Sequence, residues 1–351
     1  MQPHKIAIIQ RFLPSGSRGG VGYFTHNLAN ILIARGHHVT VFSLDTAPEE
    51  ARYQVVTLPT TKRCCGLPTA PITFPFQIAR QDFSLFDVIH AQGDDQWLSH
   101  DRSPPVVRTL HGSALSEAFH NGIRLGSPKW FLMHLYFYLN EIPAVLRADR
   151  VVAVSNATRR HYPKTDATIP NGVDTTVFKP AGVKSSHPTI LFVGDLEGRK
   201  RGRLLLETFQ KEIQPSLPDA ELWVVRGDKV DTEGVRWFGR VDTNKLAWLY
   251  REAWVFCLPS IYEGFGIPYV EAMASGTPVV ATPNAGAQEV LDHGRAGLIV
   301  SDAELGVTLR RVLTDATLRA EYRERGLDRA KQFAWDVVAA QYEKLYESVL
   351  H

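Results

Sequence analysis

What most constrains this chain is a repeated alternation of short, near-continuous Val/Ile/Leu runs with segments of helical spacing. "KIAIIQRF" (5–12) leads through a glycine loop to the helical candidate "VGYFTHNLANILIARG" and then to "HVTVFSL" (38–44). "FDVIHAQ" (86–92), "PVVRTLH" (105–111) and "DRVVAVS" (149–155) continue the series. A second series comprises "TILFVG" (189–194), "AELWVVRG", "VRWFGR", "AWVFCLPS" (253–260), "PVVATP" (278–283) and "GLIV" (297–300). Runs without polar alternation read as strands buried on both faces, and intervening helices make the sheets parallel. One parallel sheet of that many strands exceeds the size at which strongly twisted open sheets usually stay single. The pattern therefore predicts an α/β chain of two doubly wound, Rossmann-like domains facing across a cleft, with ligands beyond the carboxyl ends of the strands.

Length agrees, since 351 residues suit two domains of roughly 100–200 residues each. The seam is expected in "IPNGVDTTVFKPAGVKSSHPT", where Asn171-Gly172, Pro180 and Gly182 interrupt the pattern. This gives a first domain over 1–174, a second over 175–330, and a C-terminal helix over 331–351 that packs back toward the first. A net charge of +2 exerts no global pull toward nucleic acid, so any anion site must be local. Cys64 and Cys65 are adjacent and Cys257 lies in an apolar run, a pattern without disulfide or metal-ligand spacing. With too short an N-terminal apolar run for a secretory signal, the expectation is a cytoplasmic protein. The long stretch "WFLMHLYFYLNEIPAVLRADR" is too polar to cross a bilayer. Phe131, Leu135, Tyr138, Ile142 and Val145 recur there at helical spacing. That greasy face either packs on its own sheet or touches the inner face of a membrane or a lipid-linked substrate.

"SIYEGFGIPYVEAMASGTPVVATP" (260–283) holds two acids eight positions apart, Glu263 and Glu271. Bare spacing means little, because 37 acids in 351 residues produce about four such pairs by chance. Context is more specific. A strand ends at Ser260, a turn with two glycines follows, and a helix begins with Pro268 in its first turn and Gly276 past its end. Glu263 thus falls at a strand's carboxyl end. The amides of Phe265, Gly266 and Ile267 open at a helix N-terminus, which favours anions and hydrogen-bond acceptors, and Glu271 lies about one turn further. Two acceptor side chains flanking amide donors suit a polyol joined to an anion, as in a nucleotide sugar.

"EGFGIPYVEAMASGTPVVAT" resembles the E-x7-E signature of retaining glycosyltransferases of family 4, which have the GT-B fold. The similarity runs along nearly the whole chain. "GGVG" (19–22) resembles the glycine loop after the first strand, and "TLHG" (109–112) the histidine loop. "VAVSNAT", "PNGVDTTVF", "FVGDLEGRKRG" (192–202) and "GAQEVLDHGRAGLIV" (286–300) follow in the family's order.

The resemblance implies a retaining transfer from a UDP- or GDP-linked sugar to a hydroxyl of a glycan, a lipid-linked acceptor or a small molecule, with no resident cofactor or metal. It implies that Glu263 accepts from donor-sugar hydroxyls, that Glu271 binds the ribose, and that Gly264, Phe265, Gly266 and Ile267 line the donor. His111 becomes a partner of the sugar near the reacting carbon. Gly19 and Gly20 let amides approach phosphate. Charge developing on the departing phosphate needs donors aimed at it, and Arg199, Lys200 and Arg201 are available, with Arg201 before Gly202 at the family's second basic position. Where the family's first arginine usually stands, this chain has Asp195, expected to point away or pair with a neighbouring arginine, and Arg199 is the candidate replacement. Asp94-Asp95 reads as loop polarity, His26 as a helix residue, and His90 as a weaker candidate than His111. Two readings remain beside the transferase: a GT-B-fold sugar-nucleotide epimerase and a non-catalytic sugar-nucleotide-binding module.

Overall fold

The computed structural model describes residues 2–14, 20–59, 70–99, 104–117, 128–227, 229 and 231–351. The chain divides into two compact units, Met1–Gly172 with Trp335–His351, and Val173–Ala334. In the first, seven parallel strands stand in the order β3-β2-β1-β4-β5-β6-β7. They are β1 (Lys5–Ile9), β2 (His38–Ser43), β3 (Gln54–Thr57), β4 (Val88–Ala91), β5 (Val106–Leu110), β6 (Arg150–Ala153) and β7 (Ala167–Thr168). In the second, the order is β10-β9-β8-β11-β12-β13. These strands are β8 (Thr189–Val193), β9 (Glu221–Val225), β10 (Val235–Gly239), β11 (Val255–Leu258), β12 (Val279–Ala281) and β13 (Leu298–Ile299). Both sheets follow the doubly wound order, so each has a switch point where the winding reverses, between β1 and β4 and between β8 and β11.

Every residue of β4, β5, β8, β11 and β12 is buried, which is why those runs carry no polar alternation. In the first unit Ile6, Ile8, Val88, Val107 and Val152 face the first helix (Gly20–Ala34) and the C-terminal helix (Trp335–Leu350), whose Trp335, Val338, Tyr342 and Tyr346 join the same core. An ion pair to a buried carboxylate also anchors that last helix. Arg35 donates from Nε and Nη2 to the two oxygens of Glu343, each at 2.7 Å, and Glu343 is 2% exposed. The opposite sheet face packs Ile9, Ile89, Val106 and Val151 against Phe74, Ile78 and Val145.

The helix Pro128–Arg147 keeps Phe131, Leu135, Tyr138, Ile142 and Val145 away from full exposure, and Val145 is completely buried. Tyr138, Ile142 and Val145 of that face pack on their own sheet. A second apolar stripe, Leu132, Tyr136, Leu139 and Leu146, is exposed. No helix among the described residues is long and apolar enough to cross a membrane. Asp94 and Asp95 are more than loop polarity. Asp94 pairs with Arg11, and Asp95, 1% exposed, pairs with the buried Arg108, because a cation enclosed in the sheet needs a carboxylate beside it. Cys257 is a buried free thiol, while Cys64 and Cys65 lie outside the described residues.

Candidate active site

In the second unit the switch point brings the turn after β8 against the loop after β11, joined by a backbone bond from Ile261 N–H to Arg199 O, 2.9 Å. Glu263, 6% exposed, lies at this seam. Its Oε1 accepts from Ser260 Oγ at 2.9 Å and stands 2.7 Å from Arg199 Nη1. Among the described residues Oε2 has no hydrogen-bond partner. Glu271 is held the same way, with Tyr250 Oη donating to Oε2 at 3.0 Å and no partner on Oε1 among the described residues. Each carboxylate is therefore oriented by one scaffold hydroxyl and retains an oxygen able to accept from a ligand.

Between the acids the helix Ile267–Ala274 begins at Gly266, whose φ of 102° belongs to the left-handed region that favours glycine. A Cβ at Gly266 would come within 2.4 Å of the Tyr269 ring. The amides of Phe265, Gly266 and Ile267 donate to no acceptor among the described residues, and Pro268 has no amide to orphan. The Phe265 ring points into the core, edge-on to Phe333. The loop is pressed from behind by the helix Ala285–Val290, where a Cβ at Gly286 would meet the Phe265 and Glu263 carbonyl oxygens at 2.6 and 2.7 Å. Asn284 braces the same loop through Nδ2 to Ser260 O, 3.0 Å, while its Oδ1 caps that helix.

The basic turn separates into distinct roles. Lys200 extends back across Gly194, where a Cβ would sit 2.4 Å from its Cδ, and donates from Nζ to Val193 O at 2.9 Å. Burial lowers its pKa, with Glu263 and Glu271 opposing and Arg199 and Arg226 reinforcing the shift, so the ammonium shares one field with both acids. Arg201 is engaged elsewhere. It adopts φ 53°, and its guanidinium donates to Pro259 O (2.7 Å), Thr282 Oγ1 (3.0 Å) and both oxygens of Asp302 (2.6 and 2.9 Å). These bonds brace the loops after β8, β11, β12 and β13, and they offset a left-handed backbone that costs about 1–2 kcal/mol. Asp195 is exposed.

Charge balance also decides how Glu271 titrates. Burial raises its pKa to about 7, against the Tyr250 bond and the Lys200 and Arg226 cations. Arg226, at the end of β9 with φ 75°, is a site residue that the sequence reading passed over, as were Ser260 and Tyr250. Arg226 was within reach of the strand-end rule, since "WVVRG" closes a buried run with a cation. Ser260 and Tyr250 carry no sequence signal that separates them from core residues.

In the first unit Gly20 opens the first helix, and Gly19 lies outside the described residues. Within "GGVG" the steric demand falls on Gly22, where a Cβ would approach Phe12 O to 2.7 Å. His111 follows β5 at the carboxyl edge of the sheet. Its Nε2 is 2.6 Å from Gln92 Oε1, and its ring meets Phe24 edge-on at 4.6 Å. Burial, then the Arg108 cation, pushes its pKa down to about 3, so the imidazole is neutral across the physiological range. His90, fully buried, bonds Tyr346 Oη through Nδ1 at 2.7 Å. His26 bonds Tyr53 Oη at 2.9 Å.

Two α/β units with this strand order, and paired acids around a helix start, define a GT-B-type glycosyltransferase scaffold, and comparisons with known proteins agree. Residues 18–177 match the family model "Glycosyltransferase Family 4" and residues 187–315 match "Glycosyl transferases group 1". The chain is 36% identical over 376 aligned positions to a phosphatidyl-myo-inositol mannosyltransferase of Mycolicibacterium smegmatis, covering 94% of this chain and 90% of the relative. Its fold is shared with a sucrose-phosphate synthase from Thermosynechococcus elongatus (TM-score 0.77, 22% identity, 99% of each chain). Anabaena Alr3699/HepE, solved with UDP-glucose, also shares it (TM-score 0.76, 17% identity, 98% of this chain and 100% of that one). The chain belongs to glycosyltransferase family 4, and it is a glycosyltransferase.

Proposed function

We propose that this chain is a retaining, metal-independent transferase that moves a hexosyl group from a UDP- or GDP-linked donor to a hydroxyl of a lipid-linked acceptor. The observation that carries the donor reading is the matched pair of carboxylates. Glu263 and Glu271 each have one oxygen fixed by a buried hydroxyl and one open, on either side of unpaired helix-start amides and beside Lys200 and Arg199. Glu263 Oε2 accepts from sugar hydroxyls, and Glu271 Oε1 accepts from the ribose. The amides of Phe265, Gly266 and Ile267 lie along the sugar and its phosphate.

The acceptor oxygen bonds to the anomeric carbon as the bond from that carbon to the phosphate oxygen breaks on the same face. The acceptor's proton passes to the departing phosphate oxygen, so no separate basic side chain is required. Arg199 is about one-third exposed and turns from Glu263 toward the phosphate as charge develops there, joined by Lys200. His111 accepts a hydrogen bond from the donor sugar. Arg201 supports this arrangement as a brace. The name of the Mycolicibacterium relative favours mannose as the sugar and an inositol phospholipid as the acceptor. The exposed stripe Leu132, Tyr136, Leu139 and Leu146 supplies an apolar face for the surface that carries such a lipid.

The test is a transfer assay of UDP- and GDP-sugars on phosphatidylinositol vesicles in excess EDTA, with the anomeric configuration of the product read by NMR. Retained configuration with EDTA-resistant turnover is expected. Inverted product, or activity that EDTA abolishes and magnesium restores, overturns the mechanism. Transfer only to soluble acceptors overturns the lipid assignment.

A further inference from the structure

We propose that Gln92 is a positioning residue for His111, fixing the imidazole as its Nε2–H tautomer so that Nδ1 meets the donor sugar as a hydrogen-bond acceptor. This rests on the reading of His111 as a sugar contact. Gln92 sits at the first unit's switch point, one residue beyond β4, where its amide donates to Ile9 O of β1 at 3.0 Å. His111 is one residue beyond the neighbouring β5.

A carboxamide is polar in one direction, because its oxygen only accepts and its nitrogen only donates. Gln92 Oε1 lies 2.6 Å from His111 Nε2, which requires the proton on that nitrogen. Gln92 Nε2 lies 3.1 Å from His90 Nε2, which must then be bare. The proton of His90 is on Nδ1 and donates to Tyr346 Oη, 2.7 Å away in the C-terminal helix. Thr109 Oγ1, 2.8 Å from His90 Nε2 and 3.1 Å from Tyr342 Oη, closes the chain from the side. His90, Thr109, Tyr342 and Tyr346 are all buried, and Gln92 is 8% exposed, so water does not compete for these bonds. Nδ1 of His111 has no partner among the described residues.

Burial, and then the Arg108 cation, keep His111 neutral. Arg108 on β5 is the nearby cation, itself paired with Asp95 and Glu141; His90 on β4 and Gln92 just beyond it are uncharged, as are Phe24 and the two C-terminal tyrosines. Reversing the Gln92 amide would require the opposite tautomer on both histidines.

Long-range nitrogen–proton NMR of histidine-labelled protein separates the two arrangements without any variant. A bare Nδ1 on His111 is expected, and a protonated Nδ1 overturns the proposal. In kinetics, Gln92→Leu is expected to lower kcat about tenfold with little change in KM. It should add nothing in a His111→Ala background. Gln92→Glu places a carboxylate on Nε2 and is expected to introduce an acid limb in kcat at saturating donor, where the wild-type profile, whose Glu271 titration acts on KM, has none. An impaired His111→Ala beside a fully active Gln92→Leu, or an unaltered profile for Gln92→Glu, overturns the proposal. A fully active His111→Ala instead removes the sugar-contact reading, and the NMR result still decides the tautomer. Melting curves confirm that each variant is folded.

Discussion

The two units place opposite chemistries on the same topological position. In both, the candidate site side chains cluster beside the point where the winding of a doubly wound sheet reverses. At the β8/β11 switch point the groups are charged: Arg199, Lys200, Glu263 and Glu271, with Arg226 in the same field. At the ends of β4 and β5, beside the β1/β4 switch point, His111, Gln92 and His90 are neutral and joined by a chain of hydrogen bonds ending in the C-terminal helix, while the nearby Arg11 and Arg108 are paired with Asp94 and Asp95. The difference teaches that the scaffold selects where a site forms, while the side chains select what it takes. A cluster with both signs of charge suits a diphosphate carrying two polyols. A neutral chain holds a dipole in one direction without attracting an anion of its own.

The largest expected effect breaks the charged half. Glu263→Ala should lower turnover at least about tenfold in a folded protein, since it removes the proposed contact to the reacting sugar, and wild-type rates would reject the assignment. Arg199 and Arg201 sharpen the contrast inside one turn. Arg199→Ala is expected to lower kcat about tenfold with a smaller fall in melting temperature, since what it breaks is the bond to Tyr262 O and the ion pair with Glu263. Arg201→Ala should lower the melting temperature by several degrees as well, because it breaks bonds to Asp302, Thr282 and Pro259. Asp302→Asn should reproduce part of that thermal loss. Equal melting temperatures for both arginine variants would erase the distinction between a phosphate ligand and a brace.

Glu271 contributes a pH dependence that the neutral site lacks. With its folded pKa near 7, donor KM should rise up to about tenfold between pH 8 and pH 6 as the acceptor carboxylate is protonated. The same shift acts on stability. The native state holds this proton more tightly than the unfolded chain, so stability present below the ordinary carboxylate range is lost as pH rises toward 7. Glu271→Gln should therefore raise stability by about 1–3 kcal/mol at pH 8 and leave it unchanged at pH 4, as thermal melts would read. A gain at both values would show an effect unrelated to ionisation. The smallest change belongs to Asp195→Ala, expected within about twofold of wild-type kcat and KM because the side chain faces solvent.

Much of this was legible from residues. Uninterrupted apolar runs announced strands buried on both faces, and Pro268 and Gly276 marked the start and end of the helix behind Glu263. The two strands that escaped notice, β3 and β7, lie at sheet edges, where β3 buries none of its residues and β7 has only two. Burial is what writes a strand into a sequence, yet the edge strands β10 and β13 were legible as "VRWFGR" and "GLIV", so an edge position does not by itself hide a strand. The division of labour along "GRKRG" was not legible either. Three adjacent cations look alike until a positive φ at Arg201 and the distant Asp302 turn one of them aside. Gln92 was hidden for a related reason, since its partners His111 and His90 matter only once β4 and β5 are side by side.

The most direct measurement is a crystal structure of the donor complex. The account predicts ribose hydroxyls on Glu271, sugar hydroxyls on Glu263, and the diphosphate against Lys200, Arg199 and the amides that open the Ile267 helix. A nucleotide sugar bound elsewhere, or bound with neither carboxylate in contact, would contradict it.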